Sequence, residues 1–195
     1  MGRKKTIEDE ELLAHARQLF LEKGSHVSTK EIAVHSGLAQ ATLFQRFPTK
    51  DSLFRAAMLP PKPDMELIMG VAANHDDTKS ALIAICGAML TYFRSMMPVA
   101  LQLLAYPNFS MDDILAQFQK NNPQVLAQGL AEFLRQANSK GSAHVADPVA
   151  ASGLLIAALH SLALFEIMGM HEGQFPDAAV ANMVNSLWNG IAPSK

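Results

Sequence analysis

The side chains of this sequence best suited to chemistry are arranged for recognition. Between Gly37 and Pro48, Gln40, Thr42, Gln45 and Arg46 fall on one outward face of a short helical segment, with Phe44 partly exposed beside them. Amides and hydroxyls both donate to and accept from base edges, and a guanidinium matches phosphate. Ahead of them, Ser28-Thr29-Lys30-Glu31 is a capping box, in which hydroxyl and carboxylate satisfy the free amides of a helix start. Gly37 supplies the backbone freedom for a sharp turn, and Ala33, four residues earlier, keeps the helix crossing close. Ile32, Leu38, Leu43 and Phe47 point the other way, toward Ala16, Leu19 and Phe20 of the preceding helix. Residues 28–47 therefore read as a helix-turn-helix, with a helical hairpin carrying a solvated face as the alternative.

Catalytic arrangements are missing from the sequence. It has no His-Glu-x-x-His, no glycine-rich phosphate loop and no Gly-x-Ser-x-Gly. His75, His144, His160 and His171 lack ligand spacing, and Cys86 has no cysteine to pair with. The expectation is a non-enzyme without metal or cofactor. The net charge of −2 divides unevenly: residues 1–58 hold nine Lys/Arg against seven Asp/Glu, and residues 59–195 hold seven against eleven. A mildly basic head on an acidic body suits a polyanion partner. The start of the sequence has no apolar run that would act as a secretory signal, and a lone cysteine fits a reducing compartment, so the expected location is cytoplasmic.

The elements that must position these residues are almost all helical, because Ala, Leu, Gln and Met dominate and alternating β-branched runs are nearly absent. A first helix spans Ile7 to Lys23 and stops at Gly24. The second begins at the capping box, the third covers Ala39 to Phe47, and Thr49 opens a fourth. Pro60, Pro61 and Pro63 end that fourth helix near Met58 or Leu59. Beyond lie a short helix near 64–73 and further helices near 78–97, 99–106, 111–120, 123–139, 147–171 and 176–191, with Asp147-Pro148 as a start signal. The stretch 149–170 is long enough to cross a bilayer, but Ser152, Gly153, Ser161 and Glu166 dilute it and no Lys/Arg cluster flanks it. It reads as a buried bundle helix, with a membrane-associated helical adaptor as the rival reading and no membrane partner expected.

The run Ala16-Arg-Gln-Leu-Phe-Leu-Glu-Lys-Gly24, then Ser28-Thr-Lys-Glu-Ile-Ala33, Gly37-Leu-Ala-Gln-Ala-Thr-Leu-Phe44 and Phe47-Pro-Thr-Lys-Asp-Ser-Leu-Phe54 resembles the DNA-binding head of TetR/AcrR regulators over residues 6–58. The resemblance implies an all-α chain. Residues 6–59 would be a three-helix helix-turn-helix head, 60–77 a Pro-rich link with a short helix, and 78–195 an effector-binding and dimerisation bundle. It places Thr29 on phosphate, starts the recognition helix at Ala39, Gln40 and Ala41, and puts Phe44 and Gln45 where the family usually has two tyrosines. Arg46 stands at a common histidine, and Lys50 at the lysine that opens the fourth helix. Ala39 replaces a frequent serine cap, and Ala41 a frequent glycine.

Methionine and aromatic residues at helical spacing are ordinary core. Methionine also suits a pocket that accepts varied apolar shapes. The resemblance implies an inducer pocket in the body, and the candidates to line it are Met89, Phe93, Met97, Leu101, Phe118, Phe133 and His160, with Tyr106 as a second polar member. It also implies a homodimer through the helices near 147–171 and 176–191, where Ala150, Ala151, Gly153, Ala157, Ala158 and Ser161 allow close approach. The expected function is a repressor that a small apolar effector releases from a pseudo-palindromic double-stranded DNA operator. Activation instead of repression is left open by the sequence.

Overall fold

A computed structural model of the chain describes residues 7–119, 124–170, 172–176 and 178–189, without the side chains of residues 117 and 118. The described residues form helices and no strands. In chain order these are α1 (Asp9–Lys23), α2 (Thr29–His35), α3 (Gln40–Arg46), α4 (Lys50–Ala57) and α5 (Met65–Gly70). There follow α6 (Thr78–Ala105), α7 (Met111–Gln119), α8 (Val125–Ser139), α9 (Pro148–Ile167) and α10 (Ala178–Asn189). Two compact units result. One takes the chain up to Pro60 together with the stretch from Pro98 through α7, and the other takes Pro61–Met97 and the remainder.

In the first unit, α1 buries Leu12, Ala16, Leu19 and Phe20, which meet Ile32, Leu43, Leu53 and Phe54 in one apolar core. Helix α4 ends where the proline run requires, with Met58 as its C-cap. Its last carbonyls are covered from α1: the Arg17 guanidinium donates to Ala57 O at 2.7 Å and to Leu59 O at 2.8 Å. Phe54 is completed by residues distant in sequence, stacking on Tyr106 at 3.7 Å between ring centroids and meeting Phe20 and Phe109 edge-on. Polar contacts repeat this connection. Tyr106 Oη donates to Asp51 Oδ1 at 2.8 Å, Asn108 donates to the same carboxylate, and Arg55 pairs with Asp113 at 2.7 Å while lying 4.2 Å over the Phe109 ring. The segment 106–113 is thereby fastened to α4.

Two of these first-unit carboxyls make the acid response predictable. Hydrogen bonds from Arg55 and Ser110 hold Asp113 down at about 2. The Ser28 amide and Lys23 do the same for Glu31, also about 2. A carboxyl depressed in the folded state contributes fully above its unfolded value of about 4 and loses that contribution as pH falls below it. Thermal midpoints of the head should therefore fall between about pH 4 and about pH 2, and Asp113→Asn should flatten that descent. Equal descents in both proteins would remove Asp113 from the account.

The two helices expected near 78–97 and 99–106 are one. Helix α6 continues through Pro98, which removes one backbone donor and places a ring against the preceding turn. Buried Met97, Val99, Ala100 and Leu103 on both sides of the proline outweigh that local cost. In the second unit, the Asp147 side chain accepts from the amides of Val149 and Ala150 and starts α9. Glu166, the carboxylate that made this helix look unlike a membrane span, pairs bidentately with Arg94 at 2.7 and 2.9 Å and accepts from the Phe175 amide. Both α6 and α9 are long and apolar enough to cross a membrane; half of the apolar window of α6 is buried within the protein but only 22% of that of α9, so within this chain α9 is not the buried helix that its sequence suggested.

Candidate nucleic-acid interface

The turn between α2 and α3 is closed by backbone chemistry that the sequence encodes locally. Ser28 Oγ accepts from the Glu31 amide while Glu31 Oε2 accepts from the Ser28 amide, completing the capping box. At the other end of α2, Gly37 adopts φ +67°, its amide donates to Val34 O, and the Leu38 amide reaches back to Ala33 O at 2.8 Å. This is the Schellman arrangement, which satisfies carbonyls that a helix end leaves open. A Cβ at Gly37 would meet nothing within 4 Å, so Gly37→Ala is strained only by its backbone conformation. The expected cost is about 1–2 kcal/mol, read as a shift in denaturant midpoint. No shift would mean the turn relaxes freely.

Above that turn, α3 turns Leu43 into the core and leaves Ala39, Gln40, Ala41, Phe44 and Gln45 exposed, with Thr42 and Arg46 half-buried. The N-cap Ala39 offers no side-chain bond, as the missing serine implied. Gln40 Nε2 donates instead to Thr29 Oγ1 at 3.0 Å, tying the first turn of α3 to the start of α2. This pre-sets the Gln40 amide, whose carbonyl oxygen and second N–H stay available to a base edge.

Both cations that the resemblance carried over to the interface have partners inside the protein. Arg46 Nη1 donates to Ile7 O at 2.7 Å and to Asp9 Oδ1 at 3.0 Å, and Lys50 Nζ donates to Ser25 O. Sequence reading missed these bonds, which join residues 25 to 39 positions apart. It also passed over Lys30, which is exposed on α2 beside Thr29.

Comparison with known proteins matches residues 12–57 to the tetR family of bacterial regulatory proteins, the span that contains this turn. Residues 80–187 match the C-terminal domain of AefR-like transcriptional repressors. The chain belongs to the TetR/AcrR family. It is accordingly a DNA-binding transcriptional regulator and not an enzyme. No match was found among curated proteins. Among solved structures of this fold, PfmR, a TetR-family regulator from Thermus thermophilus, is 20% identical with a TM-score of 0.62, covering 97% of this chain and all of that one. A protein from Mesorhizobium loti assigned to the same family is 16% identical with a TM-score of 0.71, covering 93% of each chain. FadR from Bacillus subtilis, solved in complex with stearoyl-CoA, is 17% identical with a TM-score of 0.63, covering 95% of this chain and all of that one.

The candidate effector residues of this TetR-family chain are not gathered around one cavity. Met89, Phe93 and Met97 stand four apart on the buried face of α6, and the Phe93 ring lies 5.5 Å from His160 of α9. Partial burial holds the His160 imidazole below its ordinary pKa. Phe133 borders a separate cavity of about 780 Å³ beside Met69 and Gly129. Leu101 belongs to the first unit, and the Phe118 side chain lies outside the described residues. Tyr106, read as a polar pocket residue, is instead buried in the first unit with its hydroxyl on Asp51. A further cavity of about 630 Å³ in the second unit is bounded by Leu82, Leu134, Leu155, Val184 and Trp188, with His144 at its edge.

Proposed function

We propose that this regulator is a cytoplasmic, ligand-released repressor that reads a pseudo-palindromic double-stranded operator as a homodimer. The observation that carries the reading is the exposed face of α3, held above a capped and core-locked turn. Residues 6–59 are the reading head, 60–77 the link, and 78–195 the effector-binding and dimerisation body. Thr29, Ala39, Gln40, Ala41, Thr42, Phe44, Gln45, Arg46 and Lys50 make the DNA contacts. Arg46 and Lys50 keep N–H donors beyond those used within the protein, so each can hold its own backbone and a phosphate together.

Dimerisation through 147–171 and 176–191 is supported by the apolar surface there: Val149, Leu154, Leu187 and Trp188 are all exposed. One head reads half a site, and a two-fold pair matches a palindrome in successive major grooves. A small apolar effector is supported by the buried Met89, Phe93 and Met97 stripe of α6, where Phe93 meets His160. The stearoyl-CoA carried by the fold relative FadR makes acyl compounds the first class to try. The effector acts by preferring a body conformation in which the two heads are wrongly spaced.

The test is fluorescence anisotropy on a palindrome from the neighbouring promoter, with and without long-chain acyl-CoA and free acids. At least about a fivefold rise in Kd with one of these ligands is expected, since allosteric coupling is typically about 1–3 kcal/mol. Saturable ligand binding that leaves the DNA Kd unchanged would contradict release.

A further inference from the structure

We infer that the cavity of about 630 Å³ between the start of α6, the end of α8, the start of α9 and the end of α10 is a binding site for a neutral, largely apolar molecule, one carrying at most an uncharged hydrogen-bonding group. The inference goes beyond the α6 stripe and does not depend on the DNA-reading role, because it concerns binding alone.

Every lining residue belongs to the second unit. Leu82 of α6, Leu134 of α8, Leu155 of α9 and Val184 of α10 form a floor, and all four are buried. The loop 141–146 forms the remaining wall and is fixed by hydrogen bonds at both ends. Asn138 Nδ2 donates to Val145 O at 2.7 Å, and the Val145 amide donates back to Asn138 Oδ1 at 2.8 Å. The Ser142 amide donates to Ala137 O at 3.0 Å, and Thr78 at the start of α6 donates to Ser142 Oγ at 2.7 Å. A wall held in this way keeps the space open before a ligand arrives, which lowers the ordering cost of binding. Apolar walls around a space lack contact atoms on one side, and an apolar molecule restores those contacts. The volume is within the range of small-molecule sites.

Charge selects the class of ligand. Among the described residues, no Lys, Arg, Asp or Glu lines this cavity. The cavity beside Phe133 shares Ser142 with it but has Asp76, Asp77, Glu132 and Lys140 on its lining, so the exclusion of charge is particular to the first. An ionised group carried into a space without a counter-charge loses its hydration and regains little. The polar side chains on the lining are those of Ser142, His144 and Trp188. Ser142 Oγ is committed, accepting from Thr78 and donating to Ala137 O. The His144 imidazole and the Trp188 indole N–H are left to meet a hydroxyl or a carbonyl.

Trp188 is the one tryptophan in the sequence, so its fluorescence reports on this cavity directly. The full chain, at about pH 8 where an imidazole is ordinarily neutral, is titrated with 1-decanol, decanoate and decylammonium, which share a chain length and differ in charge. A saturable change in fluorescence with decanol is expected, at a Kd at least about tenfold lower than for either ion. Ala151→Phe and Ala143→Phe fill the space from α9 and from the loop. Each should abolish the decanol response in a protein that keeps its helical circular dichroism, and the second decides if the first does not fold. Binding of either ion as tight as that of decanol overturns the inference, as does decanol binding unchanged in a folded variant. No response to any of the three, the result if a second chain fills the cavity, overturns it too. Each of these outcomes leaves the DNA-reading role standing.

Discussion

Phe54→Ala should cost the first unit about 3–5 kcal/mol, a large part of the stability of an ordinary domain. The ring is fully buried, stacked on Tyr106 and edge-on to Phe20 and Phe109, so alanine opens a cavity where α1, α4 and the 106–109 segment meet. The loss extends to the polar contacts around it. Tyr106 Oη reaches Asp51, and Asn108 joins the same carboxylate, only while the aromatic stack keeps the segment against α4. Asp51 is held below its ordinary pKa by these two donors, Tyr106 first. Urea denaturation followed by helical circular dichroism should show the midpoint fall with DNA affinity lost alongside. A change below about 1 kcal/mol would mean that the core repacks around alanine, and the stack would not be what fastens the segment.

Ala41→Glu should separate folding from function in the opposite way. Ala41 is exposed in the first turn of α3, where a carboxylate favours the helix dipole by about 0.3–1 kcal/mol. The same carboxylate would face phosphate and base edges, where a like-charge contact costs several kcal/mol. Thermal stability should hold or rise slightly while operator affinity falls at least about 100-fold. Undiminished binding by a folded Ala41→Glu protein would remove α3 from the interface.

The parts legible in the sequence were those fixed by neighbours in the chain. Ser28 with Glu31, Thr49 with Ser52, Gly37 and Asp147 each mark a helix boundary through bonds spanning two to five residues, and each stands where its chemistry required. Pro98 shows the limit of such reasoning. A proline is a local break signal, and only burial along α6 reveals why the helix continues. The bonds that attach 106–113 to the head join residues 55 to 58 positions apart, and no local pattern announces them. The Ser110–Asp113 box, which starts α7, is of the local kind, and the sequence reading passed over it. At the interface, the exposed face at Gln40, Phe44 and Gln45 followed from helical spacing. The internal bonds of Gln40, Arg46 and Lys50 did not, because long polar side chains choose partners by tertiary proximity. A resemblance transfers positions, not the bonds each side chain makes in this chain.

The central claim is that the α2–α3 pair reads DNA, and selection of bound duplexes from a random pool tests it most directly. The account predicts enrichment of a pseudo-palindrome with half-sites about one helical turn apart, lost when the selection is repeated with Ala41→Glu. A folded wild-type protein that enriches no sequence, or the same sequences as the variant, would contradict it.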